Sequence, residues 1–475
     1  MKQKFLIALV CLVAMPAICL AQAQNLCPSG VTNRLICVIP QVYGPNGLIL
    51  PAGVGPAPLV GSFNGNNLAP LNSAIARQSV FLPLSSPSSG ITYAFDRNLN
   101  TYSPTTDSFG PIYGERAETI GKGKLYLGVS FQYLSYDTMD GNNLKHLPQV
   151  FTQPDTLLEQ DDQNSRLCSL NGDSTTECAF IRDIVTVDTR TDLKIQQATF
   201  FATYGITSRV DLSVAIPIEN VKLSATSAAT IVNNSNSQIH AFDVRPDCGS
   251  VSLGTNCLNQ TFTNSGSASG IGDITFRVKA AAWTGERAAL AIGADVRVPT
   301  GDSLNLLGAG AAGFKPFVAW SYRARVAPHF GAGFETNGSS TIAGDIATGS
   351  KEKLPGSLIY SAGADAWLTK RLTVAFDLVG QTIFQSHRLA ATQYTELGAC
   401  TVSYPNCVDP GTVAPPKQDP NIVQTIGNVN ALNASVGLKV KLVSNLLFTG
   451  NAVFRLNDSG LRSKVIPMGE LSYTF

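Results

Sequence analysis

The chain has 475 residues, 44% hydrophobic and only 14% charged, with a formal net charge of +1. That balance excludes a nucleic-acid binder, which needs a concentrated basic surface. Beyond the first twenty or so positions, no stretch reaches the roughly 18 consecutive apolar residues of a spanning helix, which excludes a helical membrane protein.

The chain begins with basic Met1-Lys2-Gln3-Lys4, an apolar run from Phe5 to Leu20, and small residues at Ala21 and Ala23. This is the pattern of a Sec signal peptide over residues 1–23, so the chain is expected to be exported. Of the ten cysteines, Cys11 and Cys19 leave with that segment. The others form four local pairs: Cys27/Cys37, Cys168/Cys178, Cys248/Cys257 and Cys400/Cys407. Close pairs separated by long gaps read as small loop disulfides in an oxidising compartment. No pair has CxxC spacing and histidine is scarce, so neither a metal nor another cofactor is expected.

Residues 24–120 hold the densest Pro and Gly content, with a possible small hairpin from Ile91 to Phe95 and Thr101-Tyr102. About a hundred residues without strong periodicity is too long for an ordinary loop. A plug inside a larger structure, a periplasmic extension and partial disorder all remain open for it. From Lys124 the character changes. Leu125, Leu127, Val129, Phe131 and Tyr133 alternate with polar or small residues, the period of a strand. Further strands follow at about 192–204, 210–219, 273–280, 290–298, 314–322 and 330–335. Four more lie near 358–368, 372–378, 432–441 and 446–455, and the last runs to Phe475. Each has one apolar face, and the opposite face carries charge. The charged set is Asp273, Arg277, Lys279, Asp295, Arg297, Glu335, Asp365, Asp377, Lys439, Arg455 and Glu470.

Twelve strands are thus expected over 121–475. Their connections alternate tight turns (near 205, 285, 325, 370 and 443) with long or Gly-rich loops, and the three later cysteine pairs all fall in long loops. In lipid every backbone N–H and C=O must be paired, so an antiparallel sheet has to close on itself. The expected fold is an all-β transmembrane antiparallel up-and-down barrel of about 12 strands, with the long loops extracellular. The final strand reads Gly469-x-Leu471-x-Tyr473-x-Phe475. It resembles the C-terminal signal that the outer-membrane barrel assembly machinery reads.

Several stretches resemble a known family. They are Ser108 to Lys124, Tyr204-Gly205-Ile206-Thr207 with Val210-Asp211-Leu212, and Gly270-Ile271-Gly272-Asp273-Ile274. Pro299-Thr300-Gly301-Asp302 and Phe334-Glu335-Thr336-Asn337-Gly338 complete the set. They are similar to outer-membrane proteins grouped with phenol meta-pathway degradation (MetA-type) transporters, FadL-like in architecture. The resemblance covers about 108–475. It implies uptake of small hydrophobic or aromatic molecules across a Gram-negative outer membrane.

Two near-motifs carry no chemistry. Gly344 to Lys351 misorders the Ser and Lys of a P-loop and sits in a loop between strands. His146, His240, His329 and His387 are scattered over loops and strand ends, with no Ser placed beside them for hydrolysis. The charges of mixed sign read either as cross-strand ion pairs filling a narrow lumen or as a polar pathway; they are not the single-sign ring of an ion-selective pore. The function expected is therefore a porin-like, non-enzymatic channel for passive uptake. The alternative is a non-transporting surface barrel whose disulfide-stapled loops adhere or shield. Its partners are lipid, the assembly machinery and a small solute; substrate and oligomeric state stay open. Cysteine-directed labelling of intact cells is expected to miss probes placed in the tight turns at 285 and 370, and labelling there would overturn the orientation.

Overall fold

The computed structural model describes residues 108–152, 183–234, 255–344, 348–396 and 417–475. It also describes shorter pieces at 30–44, 93–96, 101–104 and 241–245, and positions 27, 47, 48, 72, 74, 75, 78 and 346. The signal-peptide residues and Cys168, Cys178, Cys248, Cys400 and Cys407 lie outside the described residues.

Twelve strands make the barrel wall. They are β1 (Leu125–Met139), β2 (Ile184–Gly205), β3 (Val210–Val232), β4 (Ile274–Thr284), β5 (Ala288–Val298) and β6 (Gly313–Tyr322). The second half comprises β7 (Val326–Asn337), β8 (Ser357–Thr369), β9 (Leu372–Thr395), β10 (Gln418–Val443), β11 (Leu446–Arg455) and β12 (Val465–Thr474). Each pairs antiparallel with its neighbours in sequence, and β12 pairs with both β11 and β1. The sheet is therefore closed and no edge is left in lipid. Asn259–Ile271 continues β4 upward along β3, with an irregularity at Gly272 and Asp273 where the register slips. The hairpin expected near 91–102 is present as Tyr93–Asp96 paired with Thr101–Pro104.

The outward face carries exposed apolar residues all round, among them Phe131, Phe200, Phe276, Phe314, Phe376 and Leu471. This is the lipid-facing belt of a transmembrane barrel, about 25 Å tall in such folds. β2 and β3, at 22 and 23 residues, are far longer than the belt requires. The lipid-facing alternation marks only 192–204 and 210–219 of them. The cause is an inversion of polarity along one strand. Within the belt β3 points Leu212 and Ile218 outward and Asp211 and Ser213 inward. Above it the outward residues are polar and the inward ones are Val221, Leu223, Ala225 and Ala229. β2 inverts likewise between Gln196 and Ala198, with Ile195, Leu193, Val187 and Val185 turned in. Above the membrane the sheet has water outside, so its apolar face turns to the interior as in a soluble sheet. β9 and β10 also extend, to Thr395 and from Gln418, well beyond the segments their lipid-facing alternation marked.

That apolar interior is filled by the N-terminal segment. A 3-10 turn, Leu35–Cys37, buries Leu35, Ile36, Val38 and Ile39 in one cluster with Leu193, Leu223 and Phe151. Each such side chain contributes about 1.5–3 kcal/mol of transfer free energy. Cys27 and Cys37 are bridged across this cap, and Cys257 is also disulfide-bonded. Tyr43 edges onto Phe151 and Phe262 and shares a 2.6 Å hydrogen bond with Ser227. Burial pushes its phenol up to about 12, so it stays neutral.

The closing strand ends with the Phe475 N–H donating to the Leu125 carbonyl at 2.8 Å, its ring 4.5 Å from that of Tyr473. Deleting Phe475 removes both a barrel-closing hydrogen bond and the terminal aromatic. Unboiled wild-type protein is expected to migrate apart from the boiled form, and the deletion to lose most of that folded band.

Candidate functional site

The segment before β1 lies inside the barrel. Residues 108–123 cross the lumen near the tight-turn end, and backbone groups bond to the wall throughout. Phe109 N–H donates to Thr373, Ile112 and Tyr113 N–H to Asp377, Ala117 N–H to Ser321, and Ile120 N–H to Asp211. Buried peptide groups need such partners, because an unmade hydrogen bond in a dry interior is costly. Glycine makes the close approach possible. A Cβ at Gly114 would sit 2.6 Å from the His329 ring, and one at Gly205 would overlap the Gly121 carbonyl. Gly121 and Gly123 have φ of 101° and 72°, which lets the chain turn from the plug into β1.

The plug also completes the charge balance of the wall. Lys279 Nζ donates to Glu115 at 2.9 Å and to the carbonyls of Arg116 and Glu118. Arg277 makes two bonds to Asp295, at 2.6 and 2.8 Å, and one to Glu115 at 2.5 Å. Lys315 takes the remaining side of Asp295 at 2.8 Å. Arg323 and Ser321 both donate to Glu118. On the opposite wall the sign reverses. Asp365 and Asp377 flank His329, at 3.4 and 2.5 Å, and Asp365 accepts from Ser108 and from Arg116. Lys439 Nζ donates to the carbonyls of Phe109 and Pro111.

The eleven charged residues picked from the strand pattern are all buried or half-buried. Arg297 gathers Asp273 at 2.9 Å, Glu335 at 3.1 Å and Asn337 at 2.5 Å. Glu470 accepts from Tyr126 Oη at 2.7 Å, and Arg455 pairs with Asp458 at 3.3 Å. The pattern reading missed Glu115, Arg116, Glu118, Lys315 and His329. Strand parity would have found Lys315 and His329, which alternate with lipid-facing Phe314 and Phe330. His329 is thus a lumen residue within β7, a correction to its placement among loops and strand ends. The three plug charges sit in irregular backbone that has no period to read. Ser108 donates to Asp365 and accepts from the Gly110 N–H.

Between the plug below and Gln78 of the N-terminal segment above lies a cavity of about 310 Å³. Tyr113 and Glu115 form its floor, and Arg277, stacked 4.8 Å over the Phe317 ring, one wall. Leu134, Ile383 and Ile466 line the opposite, more apolar side.

Residues 182–389 match the model of the family described as "Putative MetA-pathway of phenol degradation". Over that stretch, a little under half of the chain, the sequence is similar to this family. The family-like motifs all serve loop and plug docking. Thr300 Oγ1 donates to the Gly272 carbonyl and accepts from Ile274 N–H, while Asp273 accepts from Gly301 and Ala309 N–H. Among solved structures the chain is similar to the COG4313 outer membrane channel from Pseudomonas putida F1, at 10% identity and TM-score 0.39, over 76% of this chain and 98% of that one. A Pseudomonas aeruginosa FadL homologue aligns at 9% identity and TM-score 0.29, over 75% and 90%. The TodX deltaS2S3 mutant monoaromatic hydrocarbon channel aligns at 8% and 0.21, over 83% and 97%. No curated protein matches the chain.

Glu115 is the counter-charge for two buried cations. Replacing it by alanine is expected to cost roughly 3–5 kcal/mol. The readout is a lower urea midpoint with new protease cleavage within 108–123, whereas exposed Glu286→Ala should change stability by under about 0.5 kcal/mol.

Proposed function

We propose that the protein is an outer-membrane channel through which small hydrophobic or aromatic molecules pass by diffusion, pausing in the chamber between cap and plug. The observation that carries this reading is the chamber itself. A barrel that served only to display loops would have no need of a 310 Å³ cavity in a lumen otherwise packed with ion pairs. A cavity of roughly 150 Å³ already accommodates benzene. This one has room for a single substituted ring together with water. Its lining sets aromatic and aliphatic side chains beside ion pairs such as Arg277 with Asp295 and Arg297 with Glu335, and small-molecule sites likewise combine apolar surface with aimed polar groups. The family match over residues 182–389 supports the same reading. In this reading the long loops face the cell exterior, the plug stands at the periplasmic end, and the solute gradient sets the direction of passage.

The plug sets the rate in this reading, because it must shift for a solute to leave the chamber. Its backbone bonds to Asp377 and Thr373 and its ion pairs to Arg277 and Lys279 resist that shift. Proteoliposomes holding the purified protein are expected to swell in single-ring aromatic solutes, and faster when residues 24–115 are deleted. No swelling by either form would sink the channel and leave the surface-barrel alternative.

A further inference from the structure

The cations around the chamber are not equivalent. Arg277, Arg297 and Lys315 each hold at least one carboxylate within 3.1 Å. Arg462 holds none among the described residues, although it is only 6% exposed. It stands on the short strand Leu461–Ser463, which pairs with the upper end of β1. Its Nε donates to the Asn457 carbonyl at 3.2 Å, and Nη2 to the Leu432 carbonyl at 2.7 Å and Asn433 Oδ1 at 2.6 Å. Those bonds fix one edge of the guanidinium. Nη1 is left without an acceptor among the described residues, on a side chain that lines the chamber. Asp458 acts on Arg462 electrostatically, but its carboxylate is bonded to Arg455 and is largely exposed.

Tyr136 is the register partner of Ser463, the residue after Arg462, and lines the same chamber. It is 8% exposed, and its hydroxyl has no partner among the described residues. Two donors, one of them charged, are thus turned into a cavity with nothing to accept from them. Buried polar groups are ordinarily satisfied, and an unpaired buried cation costs most of all. Leu134, Ile383, Val429 and Leu461 give the chamber an aliphatic wall, beside the polar Gln78, Asn433, Ser459 and Ser463. Glu219 acts electrostatically on Tyr136 from the β3 wall, and Gln197 donates to its carboxylate at 2.8 Å.

We infer that Arg462 and Tyr136 form an anion-recognition corner of the chamber, and that the solutes it selects are small carboxylates with an apolar body. The inference rests on the channel reading above and sharpens its substrate class. One carboxylate oxygen accepts from Arg462 Nη1 and the other from the Tyr136 hydroxyl, while the ring or chain lies on the aliphatic wall. Charge-assisted bonds of this kind are the strong ones, and a neutral analogue cannot satisfy the guanidinium. Asn433, Leu432 and Asn457 are the groups that orient it.

The test compares benzoate with benzamide, which matches it in shape without the charge. In proteoliposome swelling and in calorimetric binding to the detergent-purified full chain, wild type is expected to favour benzoate. Arg462→Gln should reduce that preference about tenfold or more, and Arg462→Lys should recover part of it. Because Arg462 also ties down residues 456–464, Tyr136→Phe provides an independent variant. It keeps the ring and should lose selectivity with its heat-modifiable band intact. If both solutes enter wild type at equal rates, or if Tyr136→Phe and Arg462→Gln leave the ratio unchanged, the carboxylate corner is wrong and the channel stands. If neither solute enters wild type, the channel reading itself fails.

Discussion

A charge inside a barrel must find its opposite within hydrogen-bonding distance, and that requirement organises this molecule. The lipid belt forces the polar residues of every strand inward. On β4 to β6 the inward set is rich in Arg277, Lys279 and Lys315; on β8 and β9 it is Asp365 and Asp377. The wall alone pairs only some of these. The plug carries Glu115 and Glu118 to the cationic side and Arg116 to the acidic side. The barrel is therefore electrostatically complete only with its own N-terminal segment inside. Such pairs are weak evidence of net stability, because desolvation opposes the attraction. Their effect here is positional: they define a single place for the segment.

The second organising fact is that solvent changes along a single strand. β2 and β3 meet lipid for about ten residues and water for the next dozen. The apolar face follows the solvent, outward below and inward above. The upper part then needs something to bury, and the Leu35–Cys37 turn and its neighbours supply it. The chamber lies between the described residues of the cap, Gln78 among them, and those of the plug, Tyr113 and Glu115. Its ceiling is held by Gln78, which accepts from Leu461 N–H and donates to the His387 carbonyl. Cap, chamber and plug are therefore consequences of where the bilayer ends and where the wall is short of counter-charge.

The short Gly-rich motifs make sense in the same terms. Phe334 to Gly338 supplies Glu335 and Asn337 to one guanidinium, that of Arg297. Pro299 to Asp302 folds against Gly272 and Asp273, and Asp302 reaches Arg34 of the cap at 2.6 Å. Gly205 faces Gly121 so that plug and wall can touch. These stretches specify how the inner segments dock. They say little about what passes through, which is why the family resemblance was informative about architecture and poor on substrate.

The barrel was legible in the sequence because its constraint is local. Period-two alternation, the alternation of tight turns with long loops and the final Leu471-x-Tyr473-x-Phe475 each depend on a residue and its near neighbours, so strand number and facing could be read directly. Lys315 and His329 were within reach of the same parity, while Glu115, Arg116 and Glu118 were not, because irregular backbone carries no period. The upper halves of β2, β3, β9 and β10 were missed because their polarity inverts where the lipid ends, a boundary set by the surroundings of the whole barrel. Which charges meet is a matter of contacts such as Lys279 with Glu115, 164 residues apart, and Lys439 with the Phe109 carbonyl, 330 apart. The sequence by itself determined a closed sheet with a polar interior. Only the tertiary structure decided that this interior is filled at both ends, leaving between them a chamber bordered by Arg462 and Tyr136, because long-range pairing is chosen by the closed three-dimensional balance of charge and burial.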